Sequence, residues 1–428
     1  MKTTIYIFPF ILVSLFLSSC MDEYTEVFTA NSPIYMSYEE LRASVKQSAS
    51  RDLVNPGKIY FKDNYIFIVE ELKGIHIINS ANPSNPQKAG FIEVPGCVDI
   101  AVKNSTLYAD SYRDLVAIDV SNLSNIKEVS RVKDVFPYTV PATGNDYRIA
   151  EIDEKKGVVV GWEVKKVRQE IDYVYYPVYP VWKNYAETMD MASYSGGVNG
   201  SSGSSFGVGG SMARFGLYSD YLYAVDKSKL YMFDVKAPAS PTSIGTQGVG
   251  WNVETMFIYN NYMFFGTTTG MQVFNLDVPT VPNWVSSFWH ATSCDPVVIS
   301  DGYAYITLRG GNTCGNSNTN RLDVVKLSSD FKNNTLVGSY PMKGPYGLGI
   351  DDEILFLCDG DAGLKVYNIA DKLHIDSHQV HVFPNIKTYD VIPVNGYLFM
   401  IGDDGFYLYD YSNINNIRQI GFIPVVKK

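Results

Sequence analysis

The sequence predicts an all-β fold, a β-propeller of four-stranded antiparallel blades, and three observations carry that expectation. Seven short apolar strands end at positions 79, 119, 234, 275, 326, 368 and 410, with spacings of 40, 115, 41, 51, 42 and 42. A period of ~40–45 residues with four short strands per unit is the signature of a propeller blade. Each of these strands follows the same order of elements: apolar strand, tight turn, aromatic strand, Gly/Asp turn. The composition agrees, because 32 Tyr and 22 Phe suit pleated, half-buried strands. At 46% hydrophobic and 19% charged, the chain is a folding one rather than a disordered one.

Taken in chain order, residues 1–19 read as a secretory signal. Lys2 stands at the start, an apolar run covers residues 5–17, and small residues follow. That 13-residue run is too short to cross a bilayer core of ~30 Å at about 1.5 Å per residue. It ends in Leu17-Ser18-Ser19-Cys20. This ending resembles the lipobox of bacterial lipoproteins, in which the signal is cut before the Cys and the Cys is acylated. The resemblance implies Cys20 as the lipidation site and an exported, outer-membrane address. Asp22 and Glu23 directly after it resemble a surface-export signal. Residues 20–56 are expected to form a lipidated tether with one short helix over 38–49, started by a Ser37/Glu40 capping box.

Residues 57–428 are expected to be the propeller, with an insertion around 173–213. The gap of 115 exceeds one period, and residues 148–162 look like the first hairpin of a further blade. The blade count is therefore eight, with seven plus a decorated loop as the alternative. The aromatic stretch 173–182 either completes that blade or forms a recognition arm. Residues 194–210 are Gly/Ser-rich and read as a flexible excursion.

The strands resemble the LVIVD-repeat family of cell-surface proteins, most closely at Leu115-Val116-Ala117-Ile118-Asp119-Val120-Ser121-Asn122. The Pro-containing turns after the strands fit too, as in Ala81-Asn82-Pro83 and Ala237-Pro238-Ala239. The resemblance implies a propeller at the cell surface and no established chemistry. Lys326 and Asn368 depart from the motif's Asp, which matters little if that residue only shapes a turn.

The net charge of -10 excludes a nucleic-acid binder, which needs a basic stripe. The run Gly207-Val208-Gly209-Gly210 lacks the Lys-Ser/Thr of a phosphate loop. His374, His378 and His381 have helical spacing, but the repeat places them in a turn and strand, where they do not converge.

Acids recur where inner strands begin: Asp99, Asp146, Glu254, Asp295 and Asp390. The loops after second strands add Asp359, Asp361, Asp403 and Asp404. Propeller topology puts both sets on one face, called the top. A ring of carboxylates there could hold Ca²⁺ or orient a polar ligand; the alternative is that these acids cap turns or bond neighbouring backbone. No other cofactor is implied. His290, Arg309 and Asp295 could act as acid, base or anion binder, or Arg309 could simply pair with Asp295. Cys294 and Cys314 are expected to form a disulfide across one top loop, leaving Cys97 and Cys358 as buried free thiols.

These readings favour an anchored binding or scaffold module for a protein or glycan ligand. The alternative is a channel-mouth hydrolase or lyase acting on a polysaccharide or other polar exported substrate.

Overall fold

The computed structural model describes residues 25–170, 206–209, 213–290, 296–310 and 319–427. Seven antiparallel units of four consecutive strands make up most of it. Blade 1 runs Pro56–Lys62, Tyr65–Glu70, Gly74–Asn79 and Gln87–Glu93. The inner strands of blades 2 to 7 are Ile100–Lys103, Phe215–Tyr218, Val253–Tyr259, Val297–Ser300, Leu348–Asp351 and Thr388–Val394. Each inner strand neighbours the next, and that of blade 7 neighbours that of blade 1. Seven blades therefore close the ring.

Every expected third strand is present in its expected place, as in Gly74–Asn79, Lys229–Asp234 and Gly405–Asp410. Its final Asp or Asn has one repeated task. The side chains of Asn79, Asp119, Asp234, Asn275, Asn368 and Asp410 each accept the backbone N–H two residues on, at 2.7–3.0 Å. These are Asx turns, for which Asp and Asn serve equally. The Pro turns that follow are used as well. Tyr108 and Tyr223, buried on second strands, donate their hydroxyls to the carbonyls of Pro238 and Pro279 in the next blade. That bond fixes one blade against its neighbour.

An eighth sheet is present, but it has three strands and stands outside the closed ring. The expected hairpin over 148–162 is opened by the N-terminal strand Thr25–Met36. That strand pairs antiparallel with Val158–Glu170 along its whole length and parallel with Arg148–Ile149. The count of eight sheets is met, and their arrangement is that of seven blades with a decoration. The insertion correspondingly begins after Val132, where the outer strand of blade 2 ends, rather than near 173.

The tether expectation needs the same correction, because residues 25–56 fold onto the body. Helix Tyr38–Arg42 starts at Ser37 with the expected capping box, and is shorter than expected. Its Leu41 is fully buried against Tyr112 and Val158. Its Arg42 bonds Asp114 at 3.0 Å and Asp134 at 2.9 Å. Lys46–Ser48 then pairs with the outer edge of blade 1. A dozen ladder positions and a buried Leu outweigh the entropy that would keep these residues loose.

The Gly/Ser-rich excursion also departs from expectation at its described end. Val208–Gly209 pairs with the inner strand of blade 1, on the channel side. Phe206 bridges to Lys103, and the Gly207 N–H donates to the Val102 carbonyl at 3.1 Å. A Cβ on Gly207 would lie 2.3 Å from Tyr60 and 2.5 Å from the Phe61 carbonyl. Glycine here serves close approach, and the channel is lined by the chain's own insert. The stretch 173–182 lies outside the described residues.

Ring closure is made by Leu53. It forms a parallel bridge with Val425, and its carbonyl accepts from Val426 at 2.8 Å. Its fully buried side chain packs among Ile59 and Ile66 of blade 1 and Ile392 and Phe399 of blade 7. Leu53→Ala should cost about 2–5 kcal/mol and lower the thermal midpoint. An unchanged midpoint would show that the ring closes without this residue.

Candidate functional site

At the top face each blade must pass from its outer strand to the next inner strand, and the backbone there has no ladder partner. Acids at the end of the second strands supply the acceptors. Glu70 accepts from Val54 and Asn55 at 3.1 and 2.8 Å. Asp110 accepts from Val98 and Asp99 at 2.7 and 2.9 Å. Asp359 accepts from Lys343 and Gly344 at 2.9 and 2.8 Å, and pairs with Lys365 at 2.6 Å. Asp403 bonds the Tyr389 hydroxyl at 3.1 Å and pairs with Lys427. Glu70, Asp110 and Asp359 thus brace the crossing backbone, whereas Asp403 is engaged by side chains.

The acids at inner-strand entrances are dispersed among similar tasks. Asp99 is buried just before the inner strand of blade 2, and its Oδ2 meets Lys58 Nζ at 2.9 Å. The same oxygen accepts the N–H of Arg214 and, at 3.0 Å, of Phe215. One carboxylate thus joins blades 1, 2 and 3. Arg214 continues the chain of contacts by donating Nε to the Glu254 carbonyl at 3.3 Å. Asp390 is fully buried in blade 7 and accepts from Val391 at 2.9 Å. Asp146 lies exposed in the inserted segment, away from the inner strands. No group of three or more His, Cys, Asp or Glu able to hold a metal occurs among the described residues.

Around Asp99 lies a buried cluster of Lys58, Asp110 and Cys97. Burial, with the nearby Asp99 charge, pushes the Asp110 carboxyl up to about 7. Burial also pushes the Cys97 thiol up and the Lys58 ammonium down. Cys97 and Cys358 are buried free thiols, as expected. A second buried pair, Glu70 and His76 at 3.0 Å, sits in blade 1. Burial raises Glu70, but hydrogen bonds from His76, Val54 and Asn55 outweigh it and hold the carboxyl below its usual value.

A concave feature of the top face lies beside the ring. A cleft of about 670 Å³ opens between the three-stranded sheet and blades 1 and 2. Its polar lining includes Arg51, Asn55, Glu71, Lys73, Glu93 and Asn145, beside the ring of Trp162. The Trp162 indole is oriented by donation to the Pro141 carbonyl at 2.8 Å. Arg51 reaches Glu93 at 3.0 Å while its guanidinium lies over Phe91, 3.8 Å from the ring centre. Asn31 and Asn145 exchange amide hydrogen bonds at the cleft wall.

Residues 97–134 match the LVIVD repeat, and they span the whole of blade 2. The chain is a β-propeller that carries an LVIVD repeat in blade 2. No curated protein matches it. Among solved structures, the periplasmic gluconolactonase PpgL of Pseudomonas aeruginosa is similar at 9% identity, with 86% of this chain and 95% of that chain covered and a TM-score of 0.51. Sqt1 of Saccharomyces cerevisiae is similar at 7% identity, with 92% and 89% covered and a TM-score of 0.49. A protein from Lactobacillus plantarum shares 10% identity over 89% and 87%, at a TM-score of 0.44. Identities this low show the fold alone.

In this propeller the remaining expected site residues divide. Arg309 is buried, its guanidinium stacked on Tyr346 with 3.9 Å to the ring centre. His290 is partly exposed at the top of blade 4, and its N–H donates to the Thr269 carbonyl. Asp295, Cys294 and Cys314 lie outside the described residues. His374, His378 and His381 do not converge: His374 pairs with Asp371, His378 bonds the His374 carbonyl, and His381 stacks on Phe383. Lys58, Asp110 and the cleft were missed in the sequence. Asp110 had a usable signal, since it occupies the second-strand end that Asp359 occupies in blade 6.

The Asp110 value fixes a pH dependence. Between the ordinary carboxylate value of 3.8 and about 7, the native state holds this proton and the unfolded chain does not. Its contribution to stability is therefore complete at low pH and is lost as pH rises through about 7. Asp110→Asn should remove this term. Relative to the variant, the parent's thermal midpoint should fall between pH 5 and pH 8, equivalent to about a few kcal/mol. Parallel midpoints across that range would show that Asp110 does not hold its proton.

Proposed function

We propose that the protein is an exported, lipid-anchored binding module that holds a small polar ligand, best fitted by a short saccharide, in the cleft over blades 1 and 2. The cleft carries the reading. Its volume is in the range of small-molecule sites, and it offers amides, both signs of charge and an oriented indole to hydroxyl-rich rings. Hydroxyls need donors and acceptors at close quarters, and the apolar faces of sugar rings suit an aromatic wall. Binding is preferred to a channel-mouth hydrolase or lyase because Asp110, Asp359 and Asp403 are engaged with backbone, Lys or Tyr partners, while residues 206–209 pair along the channel wall. The gluconolactonase likeness supplies no residue to carry that activity over.

The anchor rests on Leu17-Ser18-Ser19-Cys20. Thr25 already begins the three-stranded sheet, so about 18 Å of extended chain at most separates the acylated Cys from that sheet. Such a short connection would hold the sheet, and the cleft beneath it, close to the membrane surface. More than one acyl chain gives stable attachment. Cys20→Ala should move the exported protein from the membrane to the soluble fraction. Membrane association unchanged by that substitution would remove the anchor.

The cleft is tested on the soluble Cys20→Ala form by calorimetric titration with a panel of defined oligosaccharides. One or more should bind, and the Arg51→Ala/Lys73→Ala double variant should bind about tenfold more weakly. Absence of binding across the panel, or equal binding by the variant, would overturn the cleft as a saccharide site. Cleavage of a bound oligosaccharide would instead favour the hydrolase or lyase.

A further inference from the structure

Three of the five tryptophans are held open on one blade: Trp251 is 83% exposed, Trp284 60% and Trp289 73%. Indole rings normally bury most of their surface, so three such rings together call for a physical account. Strand register supplies it. Trp284 stands opposite Phe274 and Trp289 opposite Gly270, with Ser287 opposite Gln272 between them. Directly opposed residues share a sheet face, as do residues 270, 272 and 274 along one strand. Phe274 packs in the cluster joining blades 3 and 4, so this face of blade 4 looks toward blade 3. A Cβ on Gly250 would lie 2.4 Å from Gln272 Nε2, so the chain beside Trp251 runs against this face of blade 4.

The facing edge of blade 3 leaves room. Gly245 on its outer strand stands opposite Met232, which belongs to the same inter-blade cluster, and a Cβ there would meet nothing within 4 Å. Gln247, two residues on, crosses to the Pro282 carbonyl at 2.6 Å and closes the groove near Trp284. Four ladder positions separate the partners of Trp284 and Trp289, a span of about 13 Å.

We propose that this lateral groove between the outer edges of blades 3 and 4 binds a neutral polysaccharide chain, stacking its sugar rings on Trp251, Trp284 and Trp289. The lining chemistry selects that ligand class. The three indoles are joined by two amides and a hydroxyl, from Gln247, Gln272 and Ser287, and none of these groups carries charge. Neutral sugar rings offer an apolar face to an indole and hydroxyls to an amide. A row of platforms along an open groove suits a chain that enters and leaves. A second copy of this protein is a poorer occupant, because a net charge of -10 on each copy opposes their approach.

Affinity electrophoresis of the Cys20→Ala protein through gels containing a soluble neutral glucan, mannan or xylan tests the groove. At least one polysaccharide should retard the parent protein, with a change in tryptophan fluorescence on titration. The Trp251→Ala/Trp284→Ala/Trp289→Ala variant should lose about tenfold or more in affinity, and each single variant part of that. All three side chains are solvent-exposed, and an unchanged thermal midpoint confirms that the variant is folded. Adding the three Trp→Ala changes to the Arg51→Ala/Lys73→Ala variant should still cost about tenfold or more in retardation, which separates the groove from the cleft. Overturning results are no retardation by any of the three polysaccharides, equal retardation of the triple variant, or a concentration-dependent dimer that the triple variant abolishes.

Discussion

The fold depends on how each blade re-enters the ring. Ladder hydrogen bonds satisfy the backbone inside a blade, but the crossing from outer to inner strand at the top face has no ladder. An unpaired buried N–H costs free energy comparable to a lost hydrogen bond. Glu70, Asp110 and Asp359 meet that requirement in three blades by accepting two N–H groups each from the crossing. Asp99 extends the device sideways, from Lys58 in blade 1 to the first residues of blade 3. Of the acids drawn along the sequence, Asp99, Asp359 and Asp390 serve as acceptors of backbone N–H groups. Carboxylates committed in this way are poor candidates for acid-base chemistry, which needs a free lone pair or proton aimed at a substrate.

Repetition makes the ring, and the departures from repetition make the surfaces. The stretch after Val132 leaves blade 2, adds strands on both sides of Thr25–Met36 and comes back along the inner strand of blade 1. Two consequences follow. The channel wall gains the backbone of residues 206–209, and the top of blades 1 and 2 gains a roof under which a cleft forms. Helix Tyr38–Arg42 fixes that roof through Leu41 and through Arg42, whose partner Asp114 also pairs with Arg131. Two cations around Asp114 outweigh its burial and hold its carboxyl below the usual range.

Blade 4 keeps the regular four-strand plan and carries exposed indoles on its outer strand. Outer strands are the most exposed of a blade and tolerate substitution without disturbing the core. The same plan that buries Phe264 and Val273 leaves Trp284 and Trp289 in solvent. A propeller can in this way carry separate recognition surfaces on a scaffold whose core they do not share.

The sequence by itself determined the blades. Period, strand order and turn residues are local quantities, so the third strands, their turns and the capping box at Ser37 are legible in the sequence. It also placed Asp99, Asp359, Asp390 and Asp403, whose positions follow from topology, but not Glu70 and Asp110. Tertiary structure decided what those acids touch, since the partners of Asp99 lie 41 and 115–116 residues away. It decided where the N-terminal strand goes, because strand pairing depends on which edge is open rather than on the strand's own residues. It also decided that Gly207 is there for close packing: the Gly/Ser pattern reads as looseness until Tyr60 and Phe61 are set against it.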